Sequence, residues 1–435
     1  MGAVVGTMFA ILFSALAGGL WIGLTLGATG AIMLALFRNI PLDKLLAQYA
    51  WNILTTQELL ALPLFIVMGE ILFRTRLSQS LFQGLAPWAG LLPGRLLHVN
   101  VVGCSIFAAI SGSSAATTQV VGRMALTELL KRGYAKDIAV GSLAGAGTLG
   151  FLIPPSNIMI IYGVLGDVSI IKLFTAGFIP GFLLAGCFMA WVMIHTALRR
   201  DFVPESERAL GEIPMFERLR ALKDLAPAIF LIMAVLGSMY GGIATPSEGA
   251  AVGVLGALIV AGAQRELTAR ALRDIAIGSV LTCSMIAIIL LGASILGSAA
   301  AFLGIPRAIA DFVASLGLSP FMLIVALIVF YLILGCFLDG FSMIVMTLPI
   351  VLPIVKGAGF NEVWFGIFLV LVVEMAQITP PVGFNLFVIQ GLTGDGLGYI
   401  ARVTLPYLVI MILFTIFITV FPGIPLWLPA VLAGH

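Results

Sequence analysis

The strongest constraint on this chain is the recurrence of apolar runs of membrane-crossing length along nearly all of its 435 residues. About 20 apolar residues in a helix cross a hydrocarbon core about 30 Å thick. Segments such as Ala226 to Met239 and Leu323 to Leu334 are apolar on every face, whereas a barrel strand alternates polar and apolar side chains over about ten residues. The expected fold is an all-α polytopic membrane protein. With 61% of residues hydrophobic and 10% charged, against about 25% charged in ordinary soluble domains, a soluble reading is excluded. The net charge of +2 forms no basic patch on a soluble domain, so no nucleic-acid partner is expected.

Cys104, Cys187, Cys283 and Cys336 lie in apolar runs without CxxC spacing, and the three histidines are scattered, so these residues read as packing and not as metal ligands. Met1 to Thr7 lacks a basic leader region and the first apolar run continues to Phe37. No cleavable signal peptide is expected, and the run, broken at Gly18-Gly19, should cross twice.

The chain matches itself. Ser111-Gly112-Ser113-Ser114 is answered by Asp339-Gly340-Phe341-Ser342, with Gly112 and Gly340 separated by 228 positions (340 − 112). Pro154-Pro155-Ser156-Asn157 is answered by Pro380-Pro381-Val382-Gly383-Phe384-Asn385. The proline pairs are offset by 226 (380 − 154) and the asparagines again by 228 (385 − 157), which places a two-residue insertion between them. Gly163, Gly166 and Asp167 match Gly391, Gly394 and Asp395 at the same 228 offset (391 − 163). One duplicated unit is the expected origin.

Basic residues set the orientation. His195 to Asp224 holds Arg199, Arg200, Arg208, Arg218, Arg220 and Lys223, which assigns it to the cytoplasm. Threading outward from there leaves only Arg38, Lys44, Lys172, Arg307 and Lys356 of the 22 basic residues outside. The glycine-tipped stretch around Gly112 then opens on the inner side and that around Gly340 on the outer side, each as a re-entrant hairpin. Five full crossings per half turn the second copy upside down, the inverted-repeat plan of secondary transporters. The expected units are residues 1–197 (first repeat, hairpin near 100–130, broken helix near 138–165), a cytoplasmic linker 198–225, and 226–435 (second repeat, hairpin near 320–352, broken helix near 362–393).

Backbone that leaves a helix inside hydrocarbon persists only where protein or a hydrated cavity satisfies it. Two successive prolines make a continuous helix impossible at Pro154-Pro155 and Pro380-Pro381. The tips are expected to supply a glycine turn, hydroxyl or carboxylate oxygens, and free carbonyls. Sodium favours such oxygen ligands. The cation ligands expected are Ser111, Gly112, Ser114 and Asn157 in one half and Asp339, Gly340, Ser342, Thr379 and Asn385 in the other, making two or more sodium sites. Half-helix N-termini between them suit a carboxylate, so an anionic solute is expected near Ser113, Pro155, Ser156, Pro380 and Gly383. The competing view is that Gly, Ser and Pro here serve helix contacts and kinks; four breaks in two matching pairs favour binding. Of the other embedded ionisable residues, Glu374 could support the site or pair with Arg123, while Glu70 and Glu248 read as caps or interfacial contacts.

These residues, together with Pro63-Leu64-Phe65-Ile66-Val67-Met68-Gly69-Glu70, Gly147-Thr148-Leu149-Gly150, Thr245-Pro246-Ser247-Glu248 and Thr379 leading to Asn385-Leu386-Phe387, carry a resemblance. The chain resembles, end to end, the large membrane subunit (DctM-like) of tripartite ATP-independent periplasmic (TRAP) transporters, within the ion transporter superfamily. The resemblance implies a sodium-driven elevator in the bacterial inner membrane importing an organic acid such as a dicarboxylate. It also implies a small four-helix membrane subunit and a periplasmic substrate-binding protein as partners, with membrane lipid around them and no organic cofactor. The chain begins at the large subunit, so fusion to the small one is not expected. Arg123 stands where many relatives are expected to carry an apolar residue, and the second tip is not a close copy of the first. A stand-alone carrier of the same superfamily is the main rival. A membrane enzyme lacks support, with no HExxH, no GxSxG and no nucleophile–base pair. A conducting channel would need no inverted pair of sites.

Overall fold

The computed structural model describes residues 2–38, 42–209, 213–380 and 383–432. The described residues fold as helices with short connections and no strand. The first apolar run is two helices, Gly2–Ala17 and Ile22–Phe37, parted at Gly18-Gly19. Among the described residues, five helices are individually long and apolar enough to cross a membrane: Ile170–Leu198, Pro246–Ala263, Ala269–Phe302, Gly340–Gly357 and Leu397–Val420.

Helix lengths repeat between the halves. The incoming hairpin arms Leu97–Ser111 and Pro320–Leu334 have 15 residues each, and the outgoing arms Ser114–Lys131 and Gly340–Gly357 have 18 each. The helices that follow the two diproline segments, Asn157–Gly166 and Phe384–Thr393, have ten each. Ten helical residues rise about 15 Å, half the hydrocarbon thickness, so each is half the length of a membrane-crossing helix. One difference stands out: Lys44–Leu54 and Gln57–Phe73 are a pair bent by 54°, whereas Ala269–Phe302 is one helix of 34 residues. At the bend, Thr55 and Thr56 turn their hydroxyls back to the carbonyls of Trp51 and Asn52, both at 2.7 Å. The Asn52 carbonyl loses its helical donor where the chain leaves the helix and the Thr56 hydroxyl replaces it, while the Trp51 carbonyl keeps the Thr55 amide at 3.0 Å and gains the hydroxyl besides.

A central body holds the hairpins and broken helices. Helix Leu397–Val420 lies against Lys136–Gly147, with Tyr407 packed on Gly145, and the Trp364 indole donates to the Ile418 carbonyl at 3.0 Å. Helix Ile170–Leu198 covers the first break through Gly177 and Gly181, which touch Met159, Leu152 and Ile153. Flanking this body, Ile22–Phe37 packs on Ala269–Phe302 where Gly23 meets Ile288 and Gly30 meets Ile295. Small residues let backbones approach closely, which is how helices associate where lipid gives no hydrophobic drive. Large apolar side chains on the outer surface, among them Trp21, Phe230, Leu255 and Leu281, are well exposed, the inside-out pattern of a lipid-facing surface.

Charged contacts tie the ends of separate helices together. Arg74 reaches Asp274 at 3.8 Å, Arg76 reaches Glu266 at 2.9 Å, Arg132 reaches Glu207 at 3.1 Å and Lys136 reaches Asp395 at 2.7 Å. Lys356 likewise pairs with Glu362.

Candidate functional site

The first tip and the first break are built against each other. The incoming arm ends at Gly112, whose φ of 60° is left-handed, a conformation costly for any residue with a Cβ. A Cβ there would also stand 2.8 Å from the Pro155 carbonyl oxygen. The Asn157 amide donates to the Gly112 carbonyl at 3.3 Å, so the tip carbonyl and the start of the half-helix share one bond. Ser113 caps the outgoing arm by accepting from the Ala116 amide at 3.4 Å, and Ser156 caps the half-helix by accepting from the Met159 amide at 3.4 Å. Both are N-caps in the ordinary sense, each satisfying one orphan donor. The Ser111 hydroxyl lies 3.0 Å from that of Thr117. Gly150 closes the packing, since a Cβ on it would fall 2.4 Å from the Ser114 Cα. Residues 151–160, Pro155 and Ser156 included, are all buried.

The second tip departs from expectation. Sequence matching assigns the turn to Gly340, but Gly340 is the first residue of the outgoing helix and is not among the glycines with positive φ. The turn is made over Gly335 to Asp339, five residues against two in the first tip. The outgoing arms begin 226 positions apart (340 − 114), the offset of the proline pairs, so Ser113 and Asp339 are the structural counterparts. Gly112 and Gly340 are matched in sequence but not in place. Asp339 caps its helix twice: its Oδ2 accepts from the Phe341 amide at 3.1 Å and the Ser342 amide at 3.4 Å, and its Oδ1 takes the Ser342 hydroxyl. Thr379 donates to the Met375 carbonyl at 2.7 Å, and Pro380 is exposed and accepts from the Cys336 thiol at 3.6 Å. Gly383 precedes the half-helix that carries Asn385. Pro381 and Val382, the rest of this break, lie outside the described residues.

The two halves interdigitate at the centre. A Cβ on Gly340 would lie 3.3 Å from the Ile158 Cδ1 and 3.0 Å from Gln377 Nε2, and Phe341 packs edge-on against Phe151, ring centres 5.5 Å apart. The Ser114 hydroxyl donates to the Glu374 carboxyl, which also accepts the Phe151 amide at 2.8 Å.

Among the described residues, the side-chain oxygens of Asn157 and Asn385 are buried without a hydrogen-bond partner, as is the Asn385 amide nitrogen. An unmade hydrogen bond in a buried polar group costs about 1–3 kcal/mol. Two such oxygens, each in the first turn of a half-helix beside a helix break, are therefore unexplained by the fold and fit a hard cation that accepts oxygen ligands. No cluster of three or more His, Cys, Asp or Glu is present among the described residues, and the oxygens named above at the tips and half-helix starts are neutral apart from the Asp339 carboxylate. That composition suits a monovalent ion better than a transition metal.

Sequence reasoning does not find everything. Glu374 does not pair with Arg123, which is exposed and stands over the Phe73 ring at 5.8 Å. Glu248 forms a capping box with Thr245, and Glu70 pairs with Arg74 at 3.5 Å, so both do the local work expected of them. Gln377 escapes it, though it is a buried polar side chain three residues after Glu374, ending the helix Glu362–Gln377 beside Gly340. Thr118, buried with an unpartnered hydroxyl one turn beyond Ser114, escapes it too.

The DctM component family of tripartite ATP-independent periplasmic transporters matches residues 9–424. The C4-dicarboxylate TRAP transporter large permease protein DctM of Pseudomonas aeruginosa is 33% identical over 409 residues, covering 93% of each chain. The isethionate TRAP transporter permease protein DctMQ of Oleidesulfovibrio alaskensis is 32% identical over 407 residues, 93% of this chain and 63% of that one. The crystal structure of the Alcanivorax borkumensis YdaH transporter shares the fold, with a TM-score of 0.56 at 14% identity over 94% of this chain and 97% of that one. The chain thus belongs to the DctM family, as a large permease subunit of a tripartite ATP-independent periplasmic transporter, a multi-pass membrane protein that transports and does not catalyse.

Proposed function

We propose that this permease couples inward sodium flow to import of an organic anion across the bacterial inner membrane. The observation that carries this reading is the pair of buried, unpartnered asparagine oxygens of Asn157 and Asn385, each beside a break in its helix. One sodium ion is held by Ser111, Gly112, Ser114 and Asn157, and another by Asp339, Ser342, Thr379 and Asn385. The anion sits between them, near Ser113, Ser156 and Gly383, where half-helix amides and bound cations offset its charge. Both named relatives act on anions, one on C4-dicarboxylates and the other on isethionate. That shared charge supports an anionic solute here.

Movement follows from the architecture. The second half is an inverted copy of the first, and the central body of hairpins and broken helices slides as an elevator against the flanking helices. A small membrane subunit enlarges that flank and a periplasmic binding protein delivers the solute. The test is uptake into proteoliposomes containing this chain and both partners, driven in turn by a sodium and a proton gradient. Uptake of a C4-dicarboxylate or a related organic acid that follows sodium and ignores protons supports the reading. Uptake indifferent to sodium overturns it.

A further inference from the structure

We propose that Glu374 is a positioning residue for the first sodium site, orienting the Ser114 hydroxyl toward the ion from the opposite half of the molecule. The inference rests on the sodium reading above. Glu374 is fully buried in the helix Glu362–Gln377, six residues before Pro380. None of the ion pairs found among the described residues includes it. An ionisable group placed so deep without a basic partner is costly, and a leucine or methionine would pack there more favourably. Its contacts show what it does instead. One oxygen, Oε1, receives both the Ser114 hydroxyl and the Phe151 amide, and the other, Oε2, has no partner in the protein.

A serine hydroxyl has one proton and two lone pairs. Once the proton is committed to Glu374, only lone pairs remain to face the tip of the first hairpin, which is what a cation ligand must present. The Phe151 amide fixes the same carboxyl to the chain entering the first break, so tip, break and carboxyl move together. The matching place in the first half, six residues before Pro154, is Thr148, whose hydroxyl turns back to its own helix at the Gly145 carbonyl, 2.6 Å away. Thr148 also donates to the Met411 sulfur at 3.5 Å, whereas Glu374 takes its bond from a hairpin tip. Groups that orient ion ligands without touching the ion are worth roughly 10–100-fold in affinity.

The test uses the purified full-length chain and reads the sodium concentration giving half-maximal thermal stabilisation, with choline holding ionic strength constant, alongside uptake in proteoliposomes with both partners. Glu374→Ala is expected to raise that sodium midpoint roughly tenfold or more. Glu374→Gln, whose amide oxygen still accepts from Ser114, shifts it less. The solute KM at saturating sodium stays within about twofold, since the solute does not touch this carboxyl. Ser114→Ala produces a shift of similar size, and adding Glu374→Ala to it produces no further shift. An unchanged midpoint in folded Glu374→Ala overturns the proposal, as does full additivity with Ser114→Ala. Should Glu374→Ala not fold, Ser114→Ala and Glu374→Gln are combined instead, and full additivity between those two overturns the proposal in the same way. If the unmodified protein shows no sodium-specific stabilisation, the sodium reading itself fails. A sodium-responsive parent with indifferent variants removes Glu374 alone.

Discussion

Around the first diproline, residues 151–160 are all buried, and the tip of its hairpin turns in two residues. Around the second, Thr379 is half-buried, Pro380 is exposed, Phe384 and Phe387 are 53% and 43% exposed, and the tip takes five residues to turn. Both regions carry matching sequence, yet one is sealed by backbone packed on backbone and the other is open and held by a carboxylate. Close packing demands glycine, and the carboxyl it admits, Glu374, comes from the other half and is bonded to Ser114 and Phe151; an open tip can keep a charge of its own because water screens it. The same transport task is thus set up with two different physical means of holding broken backbone in place.

The largest expected effect tests the sealing. In Gly150→Ala the new Cβ falls 2.4 Å from the Ser114 Cα and 2.6 Å from its backbone nitrogen, and backbone atoms cannot step aside. In Gly340→Ala the Cβ meets the side chains of Val373 and Gln377, at 2.6 and 3.0 Å, which can rotate. Thermal unfolding of the two purified variants should show Gly150→Ala losing about 3 kcal/mol or more, the upper range for overpacking, and Gly340→Ala losing about 1 kcal/mol. Equal losses would mean the two regions are packed alike.

Next come the asparagines. Asn157→Ala and Asn385→Ala each remove a buried oxygen that has no protein partner. Unfolding midpoints measured without sodium should therefore barely fall, because no internal hydrogen bond is broken. The sodium concentration for half-maximal uptake should rise roughly tenfold in each, the worth of one interaction with a charged partner. A variant that loses stability in the absence of sodium but keeps its sodium dependence would make that asparagine a structural residue.

The breaks themselves are legible in the sequence because proline chemistry leaves no choice: without amide donors at Pro154 and Pro155, no helix runs through. The register of the second hairpin is not. Gly112 and Gly340 align by identity, but glycine is cheap at the first turn of a helix as well as in a left-handed turn, and only the chain geometry separates the two uses. Asp339 reads from sequence as a free ligand, whereas its carboxylate is already shared among two amides and a hydroxyl. The sequence signal for a cap, an acid three residues before a serine at the start of an apolar run, is present and is outweighed by the match to the other tip. Glu374 illustrates the opposite limit. Its depth in an apolar helix marks it as important, but its partner Ser114 lies 260 positions away, and no local pattern can announce a contact between halves.

Asp339→Asn probes the open side. Asparagine caps helices as well as aspartate does, so the arm Gly340–Gly357 should still start in place and the protein should unfold at the same temperature. Losing the charge at a partly hydrated tip should raise the sodium midpoint by only about two- to fivefold, matching the roughly 0.5–1 kcal/mol of an exposed charge interaction. A shift as large as that of Asn157→Ala would show that the second region dries out as completely as the first when sodium binds.

The smallest effect concerns the tie between the two regions where Lys136 leads into the first broken helix and Asp395 follows the second. Their side chains meet at 2.7 Å, and Tyr399 donates to the neighbouring Asp137 at 2.5 Å. The Lys136 ammonium, hydrogen-bonded to it, holds the Asp395 carboxyl below the ordinary carboxylate range. A group whose pKa is lowered by folding contributes stability above its unfolded value of about 3.9 and loses it as pH falls through the folded value. Lys136→Met should therefore lower the unfolding free energy by less than about 1 kcal/mol, by the same amount at pH 6 and pH 8, with the gap to the parent protein closing only below about pH 4. A gap that closes between pH 8 and pH 6 would place a different titrating group at this contact. A gap well above about 1 kcal/mol would mean that the sealed and open regions are bound together here more tightly than a hydrated ion pair allows.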